Sequence, residues 1–250
     1  MKKIAVISIF PQMFQCISDY GVTGKAIHNG LVDIICINPR DFADDSYKSV
    51  DDRPFGGGPG MVMLAKPLYK AINSAKITLG VSAKVIYLSP QGKQVTQKDI
   101  NVLSRSSDSI IFVCGRYEGI DERIIESCID EEISIGDFVV SGGELPAMIL
   151  IDAMIRLVPG VLGHEKSVVE DSFYDGLLDC PHYTRPANLD GLGVVPEVLL
   201  NGNHKTISMW RRQQALGRTL ERRPEIIDSQ CLSKKDIQLL VEYENKTKTM

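Results

Sequence analysis

Lys84-Val85-Ile86-Tyr87-Leu88 runs into Ser89-Pro90-Gln91-Gly92. Ile110-Ile111-Phe112-Val113-Cys114 runs into Gly115-Arg116-Tyr117-Glu118-Gly119. Ile133-Ser134-Ile135 runs into Gly136-Asp137-Phe138-Val139-Val140-Ser141-Gly142-Gly143-Glu144-Leu145-Pro146. Each apolar run has the length and composition of a buried strand. Each exit is rich in Gly or Pro, which shapes the backbone tightly. Open α/β sheets bind ligands outside the carboxyl ends of their strands. Three such exits in succession predict one small-molecule pocket built largely from main chain.

Outward from this trio the chain keeps alternating. Residues 4–10 and 31–38 have strand composition, while 12–20, 25–29, 65–77, 120–128 and 144–157 read as helical. Thr96 followed by Asp99 is a capping box that opens a helix between the first two runs. Residues 144–157 are apolar almost all round, as in a buried or interface helix. The alternation predicts an α/β fold, a mainly parallel sheet with helices on both faces. A polar loop, residues 39–60, interrupts it. Pro159-Gly160 closes the last helix, and residues 161–186 show little periodicity and carry Gly163, Gly176, Pro181 and Pro186, as a linker does. Beyond it, residues 203–220 and 233–243 read as helices, the second with Ser233 and Asp236 as a capping box. Residues 244–250 read as a fraying tail. The expected organisation is an α/β domain at 1–160, a linker at 161–186 and a small all-helical domain at 187–250.

The chain has 250 residues, 44% of them hydrophobic and 24% charged, with a net charge of −4. This suffices for a sizeable core. No apolar run approaches the roughly 18 residues of a membrane span, and the first residues read as a strand rather than a signal segment, so a cytoplasmic protein without membrane attachment is expected. Cys16, Cys36, Cys114, Cys128, Cys180 and Cys231 form no CxxC pair, and His28, His164, His182 and His204 are scattered. Neither a disulfide framework nor a zinc site is expected. An acidic chain is a poor generic polyanion binder, but the charge is segregated. Residues 203–224 hold Lys205, Arg211, Arg212, Arg218, Arg222 and Arg223 against the single acid Glu221. That gives the C-terminal part a local basic surface. Gly56-Gly57-Gly58-Pro59-Gly60 lacks the GxGxxG spacing of a dinucleotide fingerprint, and GxxxxGK[ST], GxSxG and HExxH are absent from the chain.

Several strings together are more specific. Asp51-Asp52-Arg53-Pro54-Phe55-Gly56-Gly57-Gly58-Pro59-Gly60-Met61, Tyr87-Leu88-Ser89-Pro90-Gln91-Gly92, Cys114-Gly115-Arg116-Tyr117-Glu118-Gly119-Ile120-Asp121-Glu122-Arg123, and Ser134-Ile135-Gly136-Asp137 with Ser141-Gly142-Gly143-Glu144-Leu145-Pro146-Ala147 occur in that order. Pro159-Gly160-Val161-Leu162-Gly163, Glu170-Asp171-Ser172-Phe173, Leu178-Asp179-Cys180-Pro181-His182-Tyr183-Thr184-Arg185-Pro186 and Leu216-Gly217-Arg218-Thr219 follow. Over essentially its whole length the chain resembles the bacterial tRNA (guanine-N1)-methyltransferases of the SPOUT superfamily. The resemblance implies a mainly parallel sheet whose C-terminal part is tied in a deep trefoil knot, a feature nearly absent from proteins in general. It implies a homodimer with the active site at the subunit interface, S-adenosylmethionine as methyl donor, and tRNA as substrate. The product would be 1-methylguanosine at position 37, next to the anticodon.

In that picture the three loops hold S-adenosylmethionine. Gly115, Ile135, Gly136, Phe138, Val140, Gly142 and Gly143 offer backbone to adenine and ribose, and Tyr87, Leu88 and Pro90 give apolar walls. Tyr117, Glu118, Ser134, Asp137, Val139 and Pro146 complete the set. Guanine N1 carries a proton at neutral pH, so the reaction needs a base and a cation to balance charge on the ring. Asp171 matches the family's base and Arg156 its arginine. An ordinary Asp, with a pKa near ~3.9, is a weak base, so desolvation in the closed site is expected to help. Lys205, Arg211, Arg212 and Arg218 are expected to meet tRNA phosphates, the two adjacent arginines as exposed side chains. Tyr183 and Trp210 are candidates to stack on bases. No metal is assigned. Glu118, Asp137 and Asp171 are acids of the kind that hold Mg²⁺, without the spacing of a dedicated site. The alternatives are a ribose 2′-O-methyltransferase of the same superfamily and a non-catalytic RNA-binding relative.

Overall fold

The computed structural model describes residues 1–106, 108–163, 170–227 and 232–247. His164 and Cys231, discussed above, lie outside the described residues. The chain divides into two compact units, Met1–Glu165 and Lys166–Met250.

The first unit is built on five parallel strands in the order β2-β1-β6-β5-β7. They are β1 (Lys2–Ile7), β2 (Val32–Ile37), β5 (Lys84–Gln94), β6 (Ile110–Cys114) and β7 (Glu131–Ser134). Two short strands, β3 (Asp51–Asp52) and β4 (Val62–Met63), pair antiparallel outside it. Strand alternation sends successive side chains to opposite faces. Ile4 and Val6, Ile86 and Leu88, Ile110, Phe112 and Cys114 enter one core, with α4 (Gln97–Arg105) and α6 (Glu144–Ile155). Ala5 and Ile7, Val85 and Tyr87, Ile111 and Val113 enter the other, with α3 (Ala65–Leu79) and α5 (Glu122–Cys128). Helices thus cover both faces, which explains why β6 reads as an unbroken apolar run with all five residues buried. Thr96 and Asp99 form the expected capping box at α4.

The strand β5 leaves its register and returns. Ile133 faces Leu88 and again Lys93, with Ser89–Gly92 as the excursion between. A Cβ on Gly92 would stand 2.4 Å from the Glu132 carbonyl carbon. The chain passes β7 so closely there that only glycine fits.

Several expectations shift. The helix expected over 12–20 breaks into a 3₁₀ turn, Pro11–Phe14, and a single turn, α1 (Gln15–Ser18), followed by α2 (Gly21–His28). The third strand is Glu131–Ser134 rather than 133–135. The polar loop 39–60 carries a 3₁₀ turn, Pro39–Phe42, capped by the Asn38 side chain.

The second unit holds α7 (His204–Arg222) and α8 (Lys234–Thr247). The expectation of an all-helical domain is corrected: β8 (Asn188–Leu189) and β9 (Gly193–Val194) form an antiparallel hairpin. Its turn rests on Gly191 and Gly193, at φ of 78° and 109°, values that favour glycine. The tail expected to fray is helical to Thr247. Leu177, in the stretch read as a linker, is buried with Leu216 and Leu239.

Candidate functional site

A cavity of about 230 Å³ opens at the carboxyl ends of β5, β6 and β7. Tyr87, Leu88 and Pro90 line it from the first exit and Gly115, Tyr117 and Glu118 from the second. Ser134, Ile135, Gly136, Phe138, Val139, Val140, Gly142, Gly143 and Pro146 line it from the third. All the residues expected to hold the cofactor therefore surround one space, except Asp137, which is not among its lining residues.

The backbone explains the glycines. Gly143 donates its N–H to the Gly115 carbonyl at 2.9 Å, tying the second loop to the third. A Cβ on Gly143 would lie 2.7 Å from the Cys114 Cα, and one on Gly115 would lie 2.8 Å from the Tyr87 ring. Main chain thus approaches strand and ring more closely than any side chain permits. Such a cradle suits a planar heterocycle held by N–H and C=O groups. Tyr87, 7% exposed, is held protonated, its pKa pushed up to about 12 by burial and by the charge of Glu132. It acts as a wall.

Sequence reading missed Ser89, Arg116, Gly119, Ile133 and Ser141 in this lining. Arg116 matters most. Its Nε donates to Glu144 Oε2 at 2.8 Å and its Nη1 to the Ser141 carbonyl at 3.0 Å. Glu144, fully buried at the start of α6, also accepts from the Ser8 hydroxyl at 2.7 Å. The guanidinium lies 4.8 Å from the centre of the Phe10 ring, within cation–π range. A carboxylate in the first turn of a helix is favoured by the helix dipole, and a buried one needs such partners. Arg116 and Glu144 thus clamp the second loop to the third, and Gly142 leaves the room: a Cβ there would meet the Arg116 Nε at 2.3 Å. No periodicity in the sequence marks a pair 28 residues apart.

The glycine string 56–60 reaches the same neighbourhood. Glu118 donates its N–H to the Met61 carbonyl at 2.9 Å, and a Cβ on Gly60 would strike the Glu118 side chain.

The two expected catalytic residues lie in different units. Arg156 follows α6 as its C-cap, its N–H donating to the Asp152 carbonyl. Asp171 opens a turn in the second unit, where its carbonyl accepts from the Tyr174 N–H at 3.3 Å.

Of the expected phosphate contacts, Lys205 is exposed in the first turn of α7, and Arg218 is half-buried further along. Arg211 is exposed and meets Glu170 only at 3.8 Å. Arg212 departs from the expectation of an exposed side chain. It is half-buried and binds Asp236 at 2.8 Å and Asp175 at 2.5 Å. Trp210 is half-buried, its ring 6.3 Å from that of Tyr183. The second unit also gathers Asp179, Cys180 and His182, whose donor atoms lie within 4.8 Å of one another. The wide spacing of the histidines in sequence does not reveal this grouping. His182 and Asp179 are hydrogen-bonded at 2.7 Å. Burial and the Asp179 charge push the Cys180 thiol up to about 11.

The model of the tRNA (Guanine-1)-methyltransferase TrmD family matches residues 1–229. The chain belongs to that family. Its relatives include a protein of Shewanella woodyi, 58% identical over 244 residues and 98% of each chain. Another, from Tolumonas auensis, is 60% identical over 240 residues, 96% of each chain. A third, from Photorhabdus laumondii, is 57% identical over 97% of this chain and 96% of its own. All three are named tRNA (guanine-N(1)-)-methyltransferase. Among the described residues no helix is long and apolar enough to cross a membrane.

Proposed function

We propose that this member of the family transfers the methyl group of S-adenosylmethionine to N1 of guanosine-37 in tRNA. One observation carries the reading. The family's signature strings, 87–92, 114–119 and 134–146, which are far apart in sequence, converge on one main-chain cradle. Gly115 and Gly143 fit the cradle to a flat ligand, and Tyr87 and Pro90 supply apolar walls.

S-adenosylmethionine supplies a methyl group already activated by its sulfonium. The chain's own work is at guanine. Asp171 takes the N1 proton on its carboxylate, and Arg156 balances the charge that develops on the ring oxygen. Arg116 and Glu144 keep the second and third loops in place, so that little reorganisation accompanies reaction. Residues 1–160 form the donor-binding domain, 161–186 carry the base and 187–250 bind tRNA through Lys205, Arg211 and Arg218.

Membership of the family supports a chain threaded as a deep trefoil knot. Leu145 and Ile149 of α6, 48% and 54% exposed, together with Val139 at 84%, support a homodimer that covers them and completes the active site. We place the protein in the cytoplasm, where its tRNA substrate is.

The test is methyl transfer from labelled S-adenosylmethionine to an unmodified tRNA transcript with guanosine at position 37, beside one with adenosine there. Label in the first alone, recovered as 1-methylguanosine, is the expected result. Asp171→Asn should lose turnover by orders of magnitude while still binding both substrates. Label on a ribose 2′-oxygen, or none from a protein that binds the donor, overturns the reading.

A further inference from the structure

The second unit contains a cavity of its own, about 510 Å³, within the range of roughly 300–1,000 Å³ usual for small-molecule sites. One wall is aliphatic: Val195, Leu199, Leu200 and, from α7, Ile207. The rim carries Arg185 and Arg211, and Tyr183 adds an aromatic ring. Arg211 differs from other arginines of this unit. Arg212 is bound to two acids and Arg223 to Glu225. Among the described residues Arg211 pairs with Glu170 alone, at 3.8 Å and with both side chains about half exposed or more, a pairing of negligible strength that an incoming anion replaces at little cost. Concave apolar surface, an aromatic ring and two arginines at the rim match the parts of a nucleotide: a base and ribose to bury and a phosphate to neutralise.

We propose that this cavity receives one extruded nucleotide of the bound tRNA, its base against the aliphatic wall and Tyr183 and its phosphate toward Arg185 and Arg211. The inference rests on the reading of the chain as a tRNA-modifying enzyme. It adds a nucleotide site that performs no chemistry and anchors the substrate in the second unit.

Trp210, the single tryptophan of the chain, reports on the site because its ring stands 6.3 Å from that of Tyr183. Guanosine 5′-monophosphate and adenosine 5′-monophosphate are titrated into the full-length protein, saturated with S-adenosylhomocysteine so that the first cavity is filled. Saturable change of Trp210 emission by the nucleotides, with none by inorganic phosphate at the same concentration, is expected. Ala187→Phe, which narrows the cavity, should weaken tRNA binding about tenfold while leaving S-adenosylhomocysteine affinity unchanged. An equal response to phosphate alone would reduce the cavity to an anion site and overturn the proposal, as would no response to either nucleotide. Wild-type tRNA affinity in Ala187→Phe would overturn it while leaving the methyl-transfer reading intact. Absence of methyl transfer from a wild-type protein whose Trp210 still responds to nucleotides would instead sink the functional reading alone.

Discussion

The two units are stabilised internally by different means. In the first, apolar side chains fill both faces of a five-stranded sheet, and the main polar feature at depth is the chain Ser8–Glu144–Arg116. In the second, only Leu177, Leu216 and Leu239 form a buried apolar cluster among the described residues. Polar links hold the rest. Arg212 joins α7 to Asp236 of α8 and to Asp175, Gln213 donates to the Leu239 carbonyl, and the Thr219 hydroxyl accepts from the Leu178 N–H. A small unit buries too little apolar surface to rely on it. Under the proposed function the difference is one of task. A cradle of backbone needs a rigid, solvent-independent base, whereas a surface that meets a polyanion gains from charge even where that charge also serves stability.

Glu144 is the sharpest place to break the comparison. Among the described residues it is the one fully buried carboxylate of the first unit, tied there to a cation. Glu144→Ala leaves the Arg116 guanidinium, 17% exposed, without its carboxylate, and the buried Ser8 hydroxyl without its acceptor. The expected loss is about 3 kcal/mol of stability, because an uncompensated buried charge remains. Urea unfolding followed by circular dichroism measures it. An unchanged midpoint would mean that Arg116 finds solvent or another partner, and that the clamp is dispensable.

Gly142→Val tests the cradle more gently. The added side chain meets a flexible arginine rather than backbone, so the fold can survive by moving Arg116. Moving it releases the Ser141 carbonyl and disorders the third loop. S-adenosylmethionine affinity should fall about 30-fold, near 2 kcal/mol, with an unaltered circular dichroism spectrum. Calorimetry showing wild-type affinity would sink the assignment of this loop to donor binding.

Much of the first unit was legible because its signals are local. A fully buried parallel strand must read as a short apolar run, and a ligand loop at its end must spare room for backbone. The capping boxes at Thr96–Asp99 and Ser233–Asp236 were legible for the same reason, each closing within three residues. What could not be read joins distant positions. Arg116 and Glu144 are ordinary charged residues until the fold brings them together. The return of β5 onto Ile133 leaves no pattern beyond a single glycine. Arg212 looks in sequence like its neighbour Arg211, and only the placement of Asp175 and of α8 decides that one is bound by acids and the other faces a cavity. The hairpin at 188–194 is illegible in sequence because two-residue strands carry no periodicity at all.

The smallest effect concerns how the second unit uses charge. The Asp236 carboxyl is held below its ordinary value, first by the hydrogen bond from Arg212 and also by that from Ser233, although burial opposes both. A carboxyl whose folded pKa is depressed contributes stability that is present above its unfolded value, near ~3.9, and is lost as pH falls through the folded pKa. Asp236→Asn should therefore cost about 1 kcal/mol at pH 7, the worth of a partly exposed ion pair and a helix cap together. The deficit should narrow steadily below about pH 4, as the wild-type carboxyl takes up a proton and loses its advantage over the amide. Unfolding followed by Trp210 emission at several pH values reads this directly. A deficit that stayed constant down to acid pH would show that Asp236 acts through its shape and hydrogen bonds alone. The second unit would then depend on packing as the first does, and the contrast between them would vanish.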